Sequence, residues 1–195
     1  MMRCGCVIVA WASAVAIPGV GAGEPADSRP TAVTRPIDNE TSPARLGAAL
    51  LAETNRVRRA HGCRPLRPLP ELNDAANDQA AYMALFRHAD HGNALNGQAN
   101  VLERVLRHGI RPVTVAENVA SQPSAVDGTP LSSATLAANL VEAWMSSPGH
   151  RANLLNRKFT HFGCAARVMP VIGHSEYVFA VQVFASLPMS EPWEI

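Results

Sequence analysis

Three short stretches of the chain place ionisable side chains where they could do chemistry. His88 and His91 lie in "FRHADHGN", Glu117 lies among apolar residues in "VAENVA", and His150 follows Ser-Pro-Gly in "SSPGHRAN". Two imidazoles and a carboxylate are groups that suit a divalent metal ion or a proton-transfer site. A buried carboxylate without a partner is costly, so we expect Glu117 to be paired. The residues alone also fit a polar network that only holds loops together.

Motifs that define several enzyme classes are missing from the sequence. It contains no H-E-x-x-H, no G-x-S-x-G and no phosphate-binding loop. The formal net charge is +1, and only 17% of the residues are charged. Because there is no strongly basic surface to expect, we predict that neither nucleic acid nor an anionic membrane surface is a partner.

The first 22 residues have the pattern of a secretory signal peptide. Arg3 provides a positive start, "VIVAWASAVAI" an apolar stretch, and residues 20–22 a small-residue cleavage site. We predict cleavage near Ala22 and a secreted or periplasmic protein with no membrane span after cleavage; an uncleaved anchor is the alternative. Residues 23–43 are polar and proline-rich, which predicts a flexible linker before a single domain at 44–190.

Two of the four cysteines, Cys63 and Cys164, remain after removal of the signal peptide. A pair of cysteines in an exported protein predicts one disulfide, which would close a loop of about 100 residues. Two buried thiols are the alternative.

Four helices are predicted from apolar residues at helical spacing and from residues typical of helix ends. The residues that mark these ends are Ser42 and Pro43, Gly62, Pro70, 87–89, Gly109, Ser132 or Ser133, and Pro148. In the last helix Trp144 continues the apolar stripe of Leu136 and Leu140, so we expect it to pack in the core rather than to bind a ligand.

The second half of the chain adds strands. Residues 113–121, 161–169 and 176–185 are rich in strand-forming residues, and the last two form a predicted antiparallel hairpin across 170–175. Helices followed by a late hairpin indicate an α+β fold with a small antiparallel sheet between helical layers.

Several segments, in this order, resemble the CAP superfamily of cysteine-rich secretory proteins, antigen 5 and pathogenesis-related proteins. They include "LLAETNRVRRAHGCRPLRPLPELNDAANDQAAYMA", "AENVA", "AWMSSPGHRANLLN", "FTHFGCAA" and "VFAVQVFA". The resemblance covers residues 44 to about 187 and is closest to the bacterial secreted branch. It implies a three-layer α-β-α sandwich.

The resemblance also implies a cleft with two histidines and two glutamates, in which the histidines of some members bind a divalent metal. Its Glu-Asn element falls on Glu117 and Asn118, and its second histidine on His150. The second glutamate position of animal relatives is Ser147 here, so the expected site is a triad.

The first histidine of the family cleft has two candidates in this chain. His91 lies eight residues after Met83 of a Met-Ala pair, as in the family, whereas "FRH" resembles the family's Phe-Ser-His and indicates His88. We prefer His91, because that alignment needs the smaller insertion downstream.

From this resemblance we expect an exported, monomeric binding module with a cleft formed by His91, Glu117, His150, Ser147 and Asn118. Its ligand would be a small molecule, lipid or peptide, and His91 and His150 would hold a divalent metal such as zinc. A metal-dependent hydrolase with Glu117 as general base is the alternative, and an envelope protein that acts through its surface is a third hypothesis.

Overall fold

The computed structural model describes residues 42–95, 99–171 and 174–188. The predicted signal peptide and all but the end of the predicted linker lie outside the described residues. The helices and strands in chain order are α1 (Pro43–Ala60), β1 (Arg67–Pro68), α2 (Pro70–Phe86), α3 (Val101–Arg107), β2 (Thr114–Pro123), β3 (Ala125–Val126), β4 (Thr129–Pro130), α4 (Ser133–Ser146), α5 (Pro148–Leu154), β5 (His161–Val171) and β6 (His174–Ser186). No helix in these ranges combines the length and apolar character needed to cross a membrane.

The central sheet has four strands in the order β1-β5-β6-β2. The predicted hairpin is confirmed, since β5 and β6 pair antiparallel with Phe162 opposite Phe184. The third predicted strand is β2, which pairs antiparallel with β6 and sets Asn118 opposite Gln182. Sequence reasoning missed the three two-residue strands: β1, which pairs parallel with the start of β5, and the small ladder of β3 and β4.

Alternate residues of β6 build two separate cores, one on each face of the sheet. Val178, Ala180 and Phe184 pack against α1, α4 and α5, whereas Phe179 and Val181 pack against α2 and α3. This alternation follows from the two-residue period of a strand, and burial on both faces explains why β6 reads as a nearly continuous apolar run. The fold is therefore the expected α+β three-layer sandwich.

Trp144 lies in the core, as predicted. It is 1% exposed, and its indole Nε1 donates a hydrogen bond to the carbonyl oxygen of Val119 at 3.0 Å. A buried indole needs such an acceptor, so this contact joins α4 to the outer edge of β2.

The prediction for Pro148 needs a correction. The sequence predicts Pro148 as the end of the fourth helix. The helix does end at Ser146, but Pro148 begins a further helix, α5, which contains His150. Proline is well suited to the first helical position, because it has no N–H to leave unpaired there and its φ is already helical.

The disulfide prediction is wrong in this structure, where Cys63 and Cys164 are buried free thiols. Cys164 Sγ lies 3.2 Å from the Gly47 carbonyl oxygen near the start of α1, whereas Cys63 follows the end of that helix. Gly47 and Ala60 are about 20 Å apart along the helix axis. A disulfide requires Cα atoms within about 7 Å of each other, so the two cysteines cannot be bridged. Burial raises the pKa of the Cys164 thiol to about 12, which makes it unreactive.

Candidate functional site

The site lies at the β2 edge of the sheet, where side chains from both helical layers meet. Its centre is Glu117 on β2, whose side chain is only 2% exposed. Arg104 on α3 is completely buried, and its Nη2 donates a short hydrogen bond to Glu117 Oε2. The guanidinium therefore neutralises the buried carboxylate. Arg104 is the partner that we expected for Glu117.

The helix that carries Arg104 is short and held by its first residues. Asn100 accepts a hydrogen bond from the Glu103 amide at 3.1 Å, and the Glu103 carboxylate accepts one from the Ala99 amide at 2.7 Å. This reciprocal capping satisfies backbone groups that a seven-residue helix otherwise leaves unpaired. It stabilises the turn from which Arg104 reaches Glu117.

His91 contacts the other oxygen of the Glu117 carboxylate. Its Nδ1 lies 3.0 Å from Glu117 Oε1, and its side chain is 27% exposed. Against an ionised carboxylate Nδ1 must carry the proton and donate it, so in the neutral ring Nε2 keeps a free lone pair. The loop that presents His91 is held by Gln79, whose side-chain amide donates to the carbonyl oxygens of Asp90 and Gly92 at 2.5 and 3.0 Å.

His150 approaches from the opposite helical layer. The centroids of the His91 and His150 rings are 6.3 Å apart, with their planes inclined by 42°. Burial, and secondly the charge of His91, lowers the pKa of His150 below its ordinary value. His150 is therefore neutral at pH 7 and can act as a hydrogen-bond acceptor or a metal ligand through a ring nitrogen.

Asn118 points to the face opposite Glu117 and holds α5 in place. It is completely buried; its Nδ2 donates to the His150 carbonyl oxygen at 3.2 Å, and its Oδ1 accepts from Asn153 Nδ2 at 2.9 Å. Gln182, opposite Asn118 in the sheet, accepts from the same Nδ2 and donates to Thr54 on α1. Asn118 thus positions His150 and is itself fully buried, whereas the family resemblance implies that it lines the cleft.

The remaining predicted residues lie nearby without joining this hydrogen-bonded group. Ser147 is half-buried at the junction of α4 and α5, and its side chain makes no capping hydrogen bond. His88 is exposed, after a residue with left-handed backbone geometry, Arg87 at φ 53°. The geometry thus brings His91, and not His88, to Glu117 and His150. Asn153 holds α5 to β2 through its hydrogen bond to Asn118, while Arg151 is exposed.

Arg104 is the functional candidate that sequence reasoning missed. It is one of 17 basic residues and sits in no recognisable motif. The available signal was indirect: Glu117 in an apolar strand demands a cation, and the short helix just upstream offers an arginine at an inward-facing position beside buried Val105.

The ligand set for a metal ion is limited to the two imidazoles. The described ranges contain no group of three His, Cys, Asp or Glu side chains that could hold a metal. The carboxylate behind His91 is nonetheless the arrangement that orients metal-binding histidines, because it fixes the tautomer and leaves Nε2 free. The residues therefore fit a metal with two protein ligands and its other positions open, which is fewer than the three ligands of catalytic zinc sites.

Comparison with known proteins agrees with the architecture. A solved structure described as an extracellular protein containing a SCP domain from Bacillus anthracis str. Ames has a TM-score of 0.55 at 24% identity and covers 74% of this chain and 41% of that one. The solved structure of an outer surface protein from Borrelia burgdorferi has a TM-score of 0.54 at 18% identity and covers 72% of this chain and 92% of that one. At such identities the likeness shows the fold alone.

Sequence comparison supplies the relationship. Uncharacterized protein YkwD of Bacillus subtilis (strain 168) is 30% identical over 110 residues, which are 56% of this chain and 38% of the relative. This chain thus matches less than half of that relative's length. The model of the family described as "CAP: Cysteine-rich secretory protein family" matches residues 51–184, a range that contains Glu117, His150 and the whole site around them. The chain therefore belongs to the CAP family.

Proposed function

We propose that the protein is an exported binding module whose ligand contacts the imidazoles of His91 and His150. Export is supported by the signal-peptide pattern and by the extracellular or outer-surface descriptions of the two solved neighbours. The ligand class is a small molecule, a lipid or a peptide, and a divalent metal such as zinc would bind to the same two histidines. The metal would supply a positive centre for a ligand's oxygen or nitrogen atoms.

The observation that carries this proposal is the occupation of both Glu117 oxygens. Oε1 contacts His91, Oε2 accepts from buried Arg104, and the side chain is only 2% exposed. A general base must reach the proton that it abstracts, directly or through one water. Glu117 is shielded from solvent and Arg104 compensates its charge, so Glu117 acts as a positioning residue for His91. This arrangement favours binding over hydrolysis.

A zinc titration of the exported protein tests the proposal. Calorimetry, or NMR of the histidine rings, measures the binding. His91→Ala and His150→Ala should each remove most of the zinc affinity, whereas the exposed His88→Ala is the matched control and should leave it unchanged. Glu117→Gln should weaken binding roughly 10–100-fold, because it loosens the orientation of His91. Zinc binding that survives His150→Ala would refute the assignment.

The pH dependence gives a second readout of the same site. Metal binding requires both imidazoles to be deprotonated, so affinity should fall as pH drops through about 6.5, the ordinary histidine value. The lowered pKa of His150 keeps that ring available to more acidic pH than a free histidine. Affinity that is constant from pH 8 to 5 would contradict histidine ligation.

A further inference from the structure

The two edges of the central sheet are protected differently. At the β2 edge, the Asn153 side chain donates to the Glu117 carbonyl oxygen at 3.3 Å, and Trp144 donates to that of Val119 at 3.0 Å. Side chains thus satisfy outward-facing backbone groups that could otherwise pair with another strand.

The β5 edge is protected only at its beginning. Leu69 donates its amide to the Phe162 carbonyl oxygen at 2.9 Å, and the amide of Cys164 donates to the Asn73 side chain at 2.9 Å. The backbone amide of Cys164 therefore points away from β6. Because a strand has a two-residue period, the backbone groups of Ala166 and Val168 point away from β6 too. Within the described ranges no strand pairs with this part of β5, since β1 reaches only Phe162.

A groove of about 470 Å³ lies along this open edge. Its walls are the first halves of α1 and α2, its floor is β5 from Phe162 to Arg167, and none of the histidine-site residues line it. A strand edge at the base of a groove suits an extended peptide, whose backbone adds a strand to the sheet.

Arg167 gives the groove a charge preference. Its Nη2 donates to Asn77 Oδ1 at 2.6 Å, but its buried Nε has no hydrogen-bond partner among the described residues. A buried donor without a partner is costly, and a carboxylate is the strongest acceptor for a guanidinium. Arg167 therefore favours an acidic side chain beside its own guanidinium, whereas Asp74, which also lines the groove, does not.

We propose that residues 31–40 of this same chain dock along β5, with residues 31–35 as an added strand that ends before Pro36, which has no N–H to donate. Pro43 and Ala44 line the groove, so the preceding chain starts at its border. Residues 31–34, "TAVT", are rich in strand-forming residues, and Asp38 and Glu40 provide carboxylates close to that border. Ten extended residues span up to about 35 Å, enough to follow the whole groove.

Hydrogen exchange of the exported chain, measured residue by residue by NMR, tests this docking. The outward-facing amides of Ala166 and Val168 should be protected. Ala32→Pro combined with Val33→Pro removes the donor that faces β5 in either register of the added strand, and it should accelerate their exchange at least about tenfold. The amides of Ala165 and Arg167, which face β6, should not change.

Matched controls separate docking from general destabilisation. Prolines at Ala26 and Asp27 should have no effect, and Arg167→Gln should accelerate exchange at Ala166 while the exposed Arg111→Gln should not. Rapid exchange of Ala166 in the unmodified chain would overturn the proposal, as would protection that the prolines at 32 and 33 leave intact. Protection that rises with protein concentration would identify a second copy as the occupant and would also overturn it.

Discussion

Arg58 on α1 and Arg104 on α3 are both completely buried, yet their charges are compensated in different ways. Arg58 has carbonyl oxygens as partners: its guanidinium donates to Arg64, Leu154, Asn156 and Phe159 at 2.6 to 3.5 Å. Arg104 instead pairs with the carboxylate of Glu117, which also contacts His91. We refer to the guanidinium of Arg58 and its four carbonyl partners as the Arg58 cluster.

The different partners indicate that Arg58 has a structural role, whereas Arg104 belongs to the candidate functional site. Two partners of Arg58, the carbonyls of Leu154 and Asn156, lie at the end of α5, where the helix dipole is negative. Burial lowers the pKa of Arg58 below its ordinary value, but backbone dipoles do not titrate, so this cluster responds little to pH. The partner of Arg104 is ionisable and touches a histidine, so the Arg104 region can respond to protons and ligands.

The largest effect is expected for Arg58→Met. This substitution leaves buried carbonyl oxygens unpaired and should lower the free energy of unfolding by roughly 3–5 kcal/mol. Urea unfolding measures it, with the exposed neighbour Arg59→Met as control. A loss below about 1 kcal/mol would show that the Arg58 cluster does not hold α1 to the segment after α5.

The Arg104–Glu117 pair should show strong coupling, which the Arg58 cluster cannot. Arg104→Met and Glu117→Gln each leave one buried group without its partner and should each cost about 3 kcal/mol. In a double-mutant cycle measured by urea unfolding, the double variant should lose about 1.5–3 kcal/mol less free energy of unfolding than the sum of the two single losses. Additive costs would mean that the two side chains act independently.

A smaller effect is expected from the titration of His150. Because its folded pKa is lowered, the unfolded chain binds more protons as pH falls below about 6.5. The stability present above that pH should therefore decline as pH drops toward the folded pKa of His150. The ring is only half-buried, so we expect a loss below about 1 kcal/mol. Melting temperatures of the parent and His150→Asn between pH 8 and 5 measure it; parallel curves would contradict the assignment.

The smallest effect is expected from reduction. Both thiols are free, so a reductant should leave the melting temperature unchanged, and mass analysis of denatured, non-reduced protein should find two alkylatable cysteines. In that case the Arg58 cluster and packing hold α1 without a crosslink. A Cys63–Cys164 peptide would contradict the arrangement of α1 described here.

Local patterns predicted most of the elements. Ser42 and Pro43 begin α1, Ser132 caps α4, and the two-residue period of β6 separates the two cores, each for a reason that lies within a few residues. Pro148 misled the prediction because proline both ends one helix and begins the next. The two-residue strands were missed because such short segments have no period to detect.

The sequence by itself determined four of the five described helices, the long strands, the CAP family and two candidate site residues, Glu117 and His150, because these depend on local propensity and on motifs of fixed spacing. It left His88 as an alternative to His91. Only the tertiary structure decided which groups face each other. Arg104 and Glu117 are thirteen residues apart, and their contact depends on α3 packing over β2. Cys63 and Cys164 suggested a bridge by number alone, but the length of α1 keeps them apart. Which residues far apart in the sequence meet, and which stay separated, depends on how the helices and strands pack, and no local sequence pattern encodes that packing.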